Sequence, residues 1–313
     1  MEIVVLGSAA GGGFPQWNCN GPLSRRARAG DPKARPRTQS SIAVSADGER
    51  WALFNASPDL RQQLNETPQL HPESDPTSSR RHTPIACVVL TNADVDHIAG
   101  LLNLRERQAF ALYASDRVHD ALKANPIFEV LDPALVERRP LPLVSTLPLA
   151  GPEGESIGLE LEPFAVPGKV ALYLEDPAAG ESFGTQEGDT IGLRIGDTQS
   201  GTSFFYLPGC AAIDEPLAGR LRGAQLVLFD GTLYRDDEMI TAGLGQKTGR
   251  RMGHVSIAGP EGSMAGFEAL EVERKIYIHI NNSNPVLLDD SPERAAVEAA
   301  GWQVAFDGQQ ITL

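Results

Sequence analysis

The chain has 313 residues, 41% of them hydrophobic, and 27 Lys and Arg against 41 Asp and Glu leave a formal net charge of −14. That length can hold one large α/β core, and residues 1–313 read as a single domain. The acidic balance argues against general nucleic-acid binding, which needs a basic face, and no apolar stretch approaches the about 20 residues that span a bilayer.

The first residues, Met1–Gly7, read as a strand and lack the basic start and long apolar centre of a signal peptide. Cys19, Cys87 and Cys210 are too scattered for a disulfide framework. The expected compartment is therefore the cytoplasm, with no membrane partner. The glycine-rich stretch Gly7–Pro15 admits a phosphate-binding reading, against which stand the missing Lys-Ser/Thr and Pro15, which spoils an immediate helix. Its glycines read as a tight turn or a close backbone approach. After Trp17-Asn18-Cys19 come Arg25, Arg26, Arg28, Lys33, Arg35 and Arg37 against one acid, Asp31. That run reads either as a solvated loop or as a place where guanidinium groups capture an acidic peptide or carboxylate. Ser40–Ser45 and Trp51–Asn55 flank Asp47-Gly48, a hairpin signal. Ser57-Pro58-Asp59 opens a helix with Ser as cap. Residues 66–84 carry four prolines and read as a long loop with two surface histidines, His71 and His82.

The apolar run Ile85–Leu90 then feeds straight into Thr91-Asn92-Ala93-Asp94-Val95-Asp96-His97-Ile98-Ala99-Gly100-Leu101. A polar cluster between a buried strand and a helix start lies at the carboxyl edge of a sheet, where α/β proteins place ligands. Asp94, Asp96 and His97 offer carboxylate and imidazole together, a mixture that suits Fe, Zn or Mn better than Ca. The plainer reading is an Asp-rich helix cap. Beyond it, Leu102–Phe110 reads as helix, Leu112–Ala114 as a short strand, and Ser115–Ala124 as a second helix capped by Ser115, in which His119 is structural.

Further on, short strands are expected at Val170–Leu174, Ile191–Ile195, Ser203–Leu207 and Gln225–Phe229, the last ending in Asp230-Gly231-Thr232. A Gly-rich loop (Gly243, Gly245, Gly249) precedes His254. Strand Lys275–Ile280 delivers His279, followed by Asn281 and Asn282. A helix from Ser291-Pro292-Glu293 stops at Gly301, and Gln303–Phe306 with Gln310–Leu313 reads as a closing hairpin around Asp307-Gly308.

The stretch 92–97 resembles the His-x-His-x-Asp-His signature of the metallo-β-lactamase superfamily, with Asn92 and Asp94 where the first two histidines would stand. Phe164–Lys169 lacks the third histidine that the resemblance would place there, and Cys210 or Gly209 stands where it has a metal-bridging aspartate. Asp230, His254 and His279, in that order, resemble the second half of the fold's phosphodiesterases, with His279 as the last metal ligand and Asp230 with His254 as an acid–histidine pair. More closely, Gly11–Cys19, Ser57–Arg61, Asp96-His97, Gly209-Cys210 and His279–Pro285 are similar to the protein B family of pyrroloquinoline quinone (PQQ) biosynthesis. This resemblance implies a four-layer αββα sandwich. The family commonly adds further cysteines after Trp-Asn-Cys to bind a structural zinc. Here Asn20-Gly21 follows, and one thiolate cannot build such a site, so no structural zinc is expected at Cys19.

With the first metal's histidines missing, Asp96, His97 and His279 remain. Two imidazoles and one carboxylate are the donor set of non-haem Fe(II) oxygenases. The resemblance implies a role in hydroxylating the tyrosine ring of a Glu-Tyr precursor, with one Fe(II) as cofactor (Zn or Mn could replace it in a purified sample). Asp94 would be a further ligand or an acceptor orienting a histidine, and Asp230 and His254 acid–base groups. Arg25, Arg26, Arg61, Asn281 and Asn282 are candidates for holding a small peptide or amino-acid-derived substrate. Other PQQ-pathway proteins are candidate partners. A metal-dependent hydrolase and a non-catalytic carrier of PQQ or its precursor stay open as alternatives.

Overall fold

The computed structural model describes residues 1–72 and 79–313. The loop expected over 66–84 holds a short 3-10 turn at Pro68–Leu70 and lies in part outside the described residues. The strands in chain order are β1 (Glu2–Gly7), β2 (Ser41–Ser45), β3 (Trp51–Phe54), β4 (Ile85–Val89), β5 (Phe110–Ala114), β6 (Val136–Pro140) and β7 (Leu147–Ala150). They continue as β8 (Ser156–Ala165), β9 (Ile191–Asp197), β10 (Ser203–Leu207), β11 (Leu226–Asp230), β12 (Arg274–Ile278), β13 (Trp302–Val304) and β14 (Gln310–Thr312). Among the described residues they form two seven-stranded sheets, ordered β14-β1-β2-β3-β4-β5-β6 and β13-β12-β11-β10-β9-β8-β7. Each sheet is antiparallel at one side and parallel at the other, the parallel parts being β3 to β6 and β10 to β13.

The two sheets pack face to face through Ile3, Val5, Ile42, Phe54, Leu159, Ile195 and Ile276, all fully buried. Outside the first sheet lie helices Leu60–Glu66 and Asp116–Ala124; outside the second lie Glu215–Leu221 and Pro292–Ala299. This is the four-layer αββα sandwich. Strands covered on both faces read as unbroken apolar runs, as Ile85-Ala86-Cys87-Val88-Val89 does. Ser115 and Ser291 cap their helices by accepting N–H from Val118 and Arg294.

Two local backbone features follow directly from the sequence. The β2–β3 hairpin turns at Asp47-Gly48, where Asp47 accepts from Glu49 and Arg50 amides and Gly48 takes φ +79°. Gly100 lets the segment after β4 lie directly on the 56–57 backbone: its N–H bonds Ala56 O at 2.8 Å, and a Cβ would sit 2.0 Å from Ser57 O.

Three expectations need correction. Residues 102–110 are not a helix. Ala99–Leu104 is a 3-10 segment, Arg107 takes φ +62°, and Phe110 is already paired in β5 with Val136 of β6. Val170–Leu174 is not a strand, because Leu172 N–H bonds Asp94 Oδ1 (3.3 Å) and Tyr173 Oη bonds Ala93 O (3.0 Å), holding the segment as a turn. The C-terminal strands are not a hairpin: β13 runs parallel to β12 in one sheet, whereas β14 runs antiparallel to β1 in the other. Asp307, between them, accepts from Ser8 and Thr38 and pins the crossing.

Candidate metal centre

The carboxyl ends of β4, β11 and β12 converge between the sheets. β4 leads through Asn92 and Asp94 into the short helix Val95–Ile98, which carries Asp96 and His97. Asp230 is the last residue of β11, and His279 follows β12 with φ +59°. A side chain that adopts this left-handed backbone costs about 1–2 kcal/mol, and here the conformation accompanies an imidazole placed between the two carboxylates. His254 comes from the turn after Gly253.

Asp96, His97 and His279 each offer a donor atom within 4.8 Å of the others. His279 Nε2 lies 3.0 Å from Asp96 Oδ2, and His97 Nε2 lies 3.9 Å from the same oxygen. The outer nitrogens define the tautomers. Asn92 Oδ1 accepts Asp94 N–H at 2.9 Å, so the 2.8 Å contact to His97 Nδ1 requires a proton on that nitrogen. His97 Nε2 then carries a lone pair, is fully buried, and has no hydrogen-bond partner. His279 Nδ1 donates to Thr232 Oγ1 at 2.8 Å, turning its Nε2 inward as well. A buried lone pair without a donor costs free energy unless something electrophilic meets it, so the three residues fit a metal ion.

The charges fit too. Burial opposes ionisation of Asp96, yet His97 and His279 hold its carboxyl well below the usual range. Burial lowers His97, keeping it neutral. Burial also works against His279, but the hydrogen bond and charge of Asp96 outweigh it and raise this imidazole above its ordinary value.

A second group, Asp230, His254 and His279, is built differently. Asp230 Oδ1 accepts from Thr232 N (3.0 Å) and Oγ1 (2.6 Å). Its Oδ2 accepts from Cys210 N (2.9 Å) and His254 Nδ1 (2.7 Å). All its acceptor capacity is used, so it orients His254 and leaves that ring's Nε2 as a free base. The His254 and His279 rings stack at 5.2 Å. Cys210 contributes its amide, while its thiol faces Ala212 O and burial pushes its ionisation up.

Asp94 stands at the rim, accepting Leu172 N–H, and no hydrogen bond joins it to a histidine; Asn92 does the orienting that was expected of Asp94. Arg25 bonds Asn20 O, Arg26 pairs with Asp31 and Asp290, and Arg61 is exposed on its helix. None of the three bonds to the cluster. Asn281 is turned to Ser283, and Asn282 to Gln16. Cys19 is buried, its Sγ accepting Gly21 N–H. Asn92 and Thr232 were missed as functional positions; the only signal was a polar residue one or two places beyond a buried strand.

This fold, with acid and histidine side chains gathered at the parallel strand ends between two sheets, defines a class: the beta-lactamase superfamily domain, whose family matches residues 50–280. A Zn(2+)-bound PqqB from Methylobacterium extorquens superposes with a TM-score of 0.92 at 49% identity, over 100% of both chains. A diphosphatase of the PhnP family shares the fold at 22% identity and TM-score 0.67, over 100% of this chain and 97% of that one. Coenzyme PQQ synthesis protein B of Gluconacetobacter diazotrophicus is 56% identical, covering 100% of this chain and 99% of that protein. The chain belongs to the coenzyme PQQ synthesis protein B family.

Proposed function

We propose that the chain is a single-metal hydroxylase of PQQ synthesis, acting in the cytoplasm on the tyrosine ring of a Glu-Tyr peptide precursor. The observation that carries this reading is the buried, unpartnered His97 Nε2 facing Asp96 and His279. Asp96, His97 and His279 would hold one Fe(II), which would supply dioxygen activation. Asn92 and Thr232 keep the two imidazoles in the ligating tautomer. His254, its Nδ1 proton tied to Asp230, has Nε2 available to take the phenol proton. One oxygen atom enters the ring, the other leaves as water, and an added reductant such as ascorbate supplies the two electrons and two protons.

A two-metal hydrolase is less well supported. Residues 92 and 94 are not histidines, 164–169 contains none, and Asp230 has no oxygen to spare. The test is anaerobic loading with Fe(II), then O₂ uptake with glutamyl-tyrosine and ascorbate. One iron per chain with peptide-dependent uptake and a hydroxylated ring is expected. Two zincs with ester or phosphodiester cleavage would establish the hydrolase, and peptide or PQQ binding without any turnover the carrier. Other pathway proteins as partners belong to this same reading, since a peptide-derived precursor must be delivered and passed on.

A further inference from the structure

A cavity of about 1210 Å³ opens beside His254 and is lined by Tyr234, Arg235, Asp236, Arg250 and Arg251 together with the 256–262 loop, so three guanidinium groups face two carboxylates, Asp236 and Glu261. Its charge runs against that of the chain. Arg250 is paired with Glu261. Arg251 grips Glu175 through two bonds, 3.1 and 2.7 Å, while its guanidinium lies over the Phe183 ring at 3.6 Å. Lys169 Nζ lies 3.8 Å from the same carboxylate. The Arg251 bond, then the charges of Lys247, Arg251 and Lys169, hold Glu175 below the usual carboxylate range. So three cations surround one acid. Among the described residues, Arg235 and Lys247 have no carboxylate within ion-pair reach. In a protein with 41 acidic side chains and 27 basic ones, such a surplus beside the site is not the surface average.

We propose that this cluster is the docking site for a substrate carboxylate, which takes the place that Glu175 occupies on Arg251. The planar guanidinium already holds a carboxylate in the two-bond geometry, and its stacking on Phe183 fixes it in advance. The link to the chemistry is short. Met252 and Gly253 (φ +86°) join Arg251 to His254, and Lys169 packs so closely on Gly253 that a Cβ there would be 2.8 Å from Lys169 Cγ. The ligand class is a small molecule with two or more carboxylates, its reacting end at His254. The inference deepens the hydroxylase reading and rests on it for the choice of peptide, but its test needs no turnover.

Zinc-loaded protein is titrated calorimetrically with glutamyl-tyrosine, with the same dipeptide amidated at both carboxylates, and with glutarate. The amidated peptide should bind about 10–100-fold more weakly, the span expected for losing one charged hydrogen-bonded contact. Arg251→Gln should weaken the acid peptide by a similar factor, Lys247→Ala by about 3–10-fold, and Glu175→Gln should tighten it. Because Arg251→Gln removes a packed ion pair, Lys247→Ala serves as the variant free of that burden. Glutarate binding that depends on both residues, without peptide binding, would keep the site and discard the hydroxylase reading. Failure of both acids to bind, or binding that ignores Lys247 and Arg251 in folded variants, overturns the site.

Discussion

Asp96 and Asp230 make an instructive pair. Both stand at the carboxyl edge of a parallel sheet, one in each half of the sandwich, and both act on His279. Asp230 has a side chain with no exposure and spends every lone pair on protein donors. Asp96 is 15% exposed, and the side chains nearest its carboxylate are two imidazoles. A carboxylate already satisfied by four protein donors is placed to orient; one whose nearest partners are two imidazoles is placed to ligate. The same residue type thus does two jobs, and the hydrogen-bond count tells them apart where burial or charge alone would not.

Removing Asp96 or its partner His279 tests the comparison most severely. Asp96→Ala and His279→Ala should each lower Fe(II) affinity by at least about 100-fold, more than the loss of a supporting hydrogen bond costs, and abolish O₂-dependent hydroxylation in a protein that stays folded. Iron content and circular dichroism measured together decide it; iron retained in His279→Ala would put the metal elsewhere. Asp230→Asn is the matching change on the other side. It keeps the shape, so iron should stay bound while turnover falls by about 100-fold through the loss of an oriented base. Loss of iron in that variant would erase the distinction between the two aspartates.

Smaller effects sharpen it. Asn92→Ala removes the acceptor that holds His97 Nδ1–H and should cost about tenfold in metal affinity. An unchanged affinity would mean that packing alone orients the ring. Finally, pH should tune loading. His279 is raised above its ordinary value because Asp96 outweighs burial, so the metal-free ring keeps its inner proton to higher pH than an ordinary histidine, and a metal bound at Nε2 competes with that proton. Affinity should therefore rise with pH by at most about tenfold per unit until His279 loses its proton, then level off. The stability that this proton gives the metal-free protein runs the other way: it is complete below the unfolded histidine value and lost as pH climbs through the raised one. Calorimetry in buffers of different ionisation heat would count the proton released.

Much of this is legible in the sequence alone. The run Ile85–Leu90 into Asp94-Val95-Asp96-His97 marks a strand end with candidate ligands, and His279 with Asp230 completes the arrangement by order along the chain. What stayed hidden is physically of one kind. Whether 303–306 and 310–313 pair with each other depends on which sheet has an open edge, and local pattern is silent on that. Residues 170–174 look like a strand because they are apolar, yet Leu172 and Tyr173 are 57% and 42% exposed, held out by contacts to Ala93 and Asp94 far back in the chain. Asn92 looked like a vacancy, since what replaces a ligand can support another only through a fold that brings its oxygen to His97.

The split of β13 and β14 between the two sheets has a consequence for assembly. The last strand, β14, lies beside β1, and the amino group of Met1 donates to Leu313 O. The first sheet is thus unfinished until the chain's end is in place, and the end arrives by way of the second sheet. The contact between Asp96 and His279 spans 183 residues and joins the same two halves. A metal held there closes a very long loop, and it binds well only when both halves have docked. It therefore adds mass-action stability to the assembled sandwich and none to either half. Metal uptake becomes a report on completed folding: a nascent or half-assembled chain has the ligands but not the chelate.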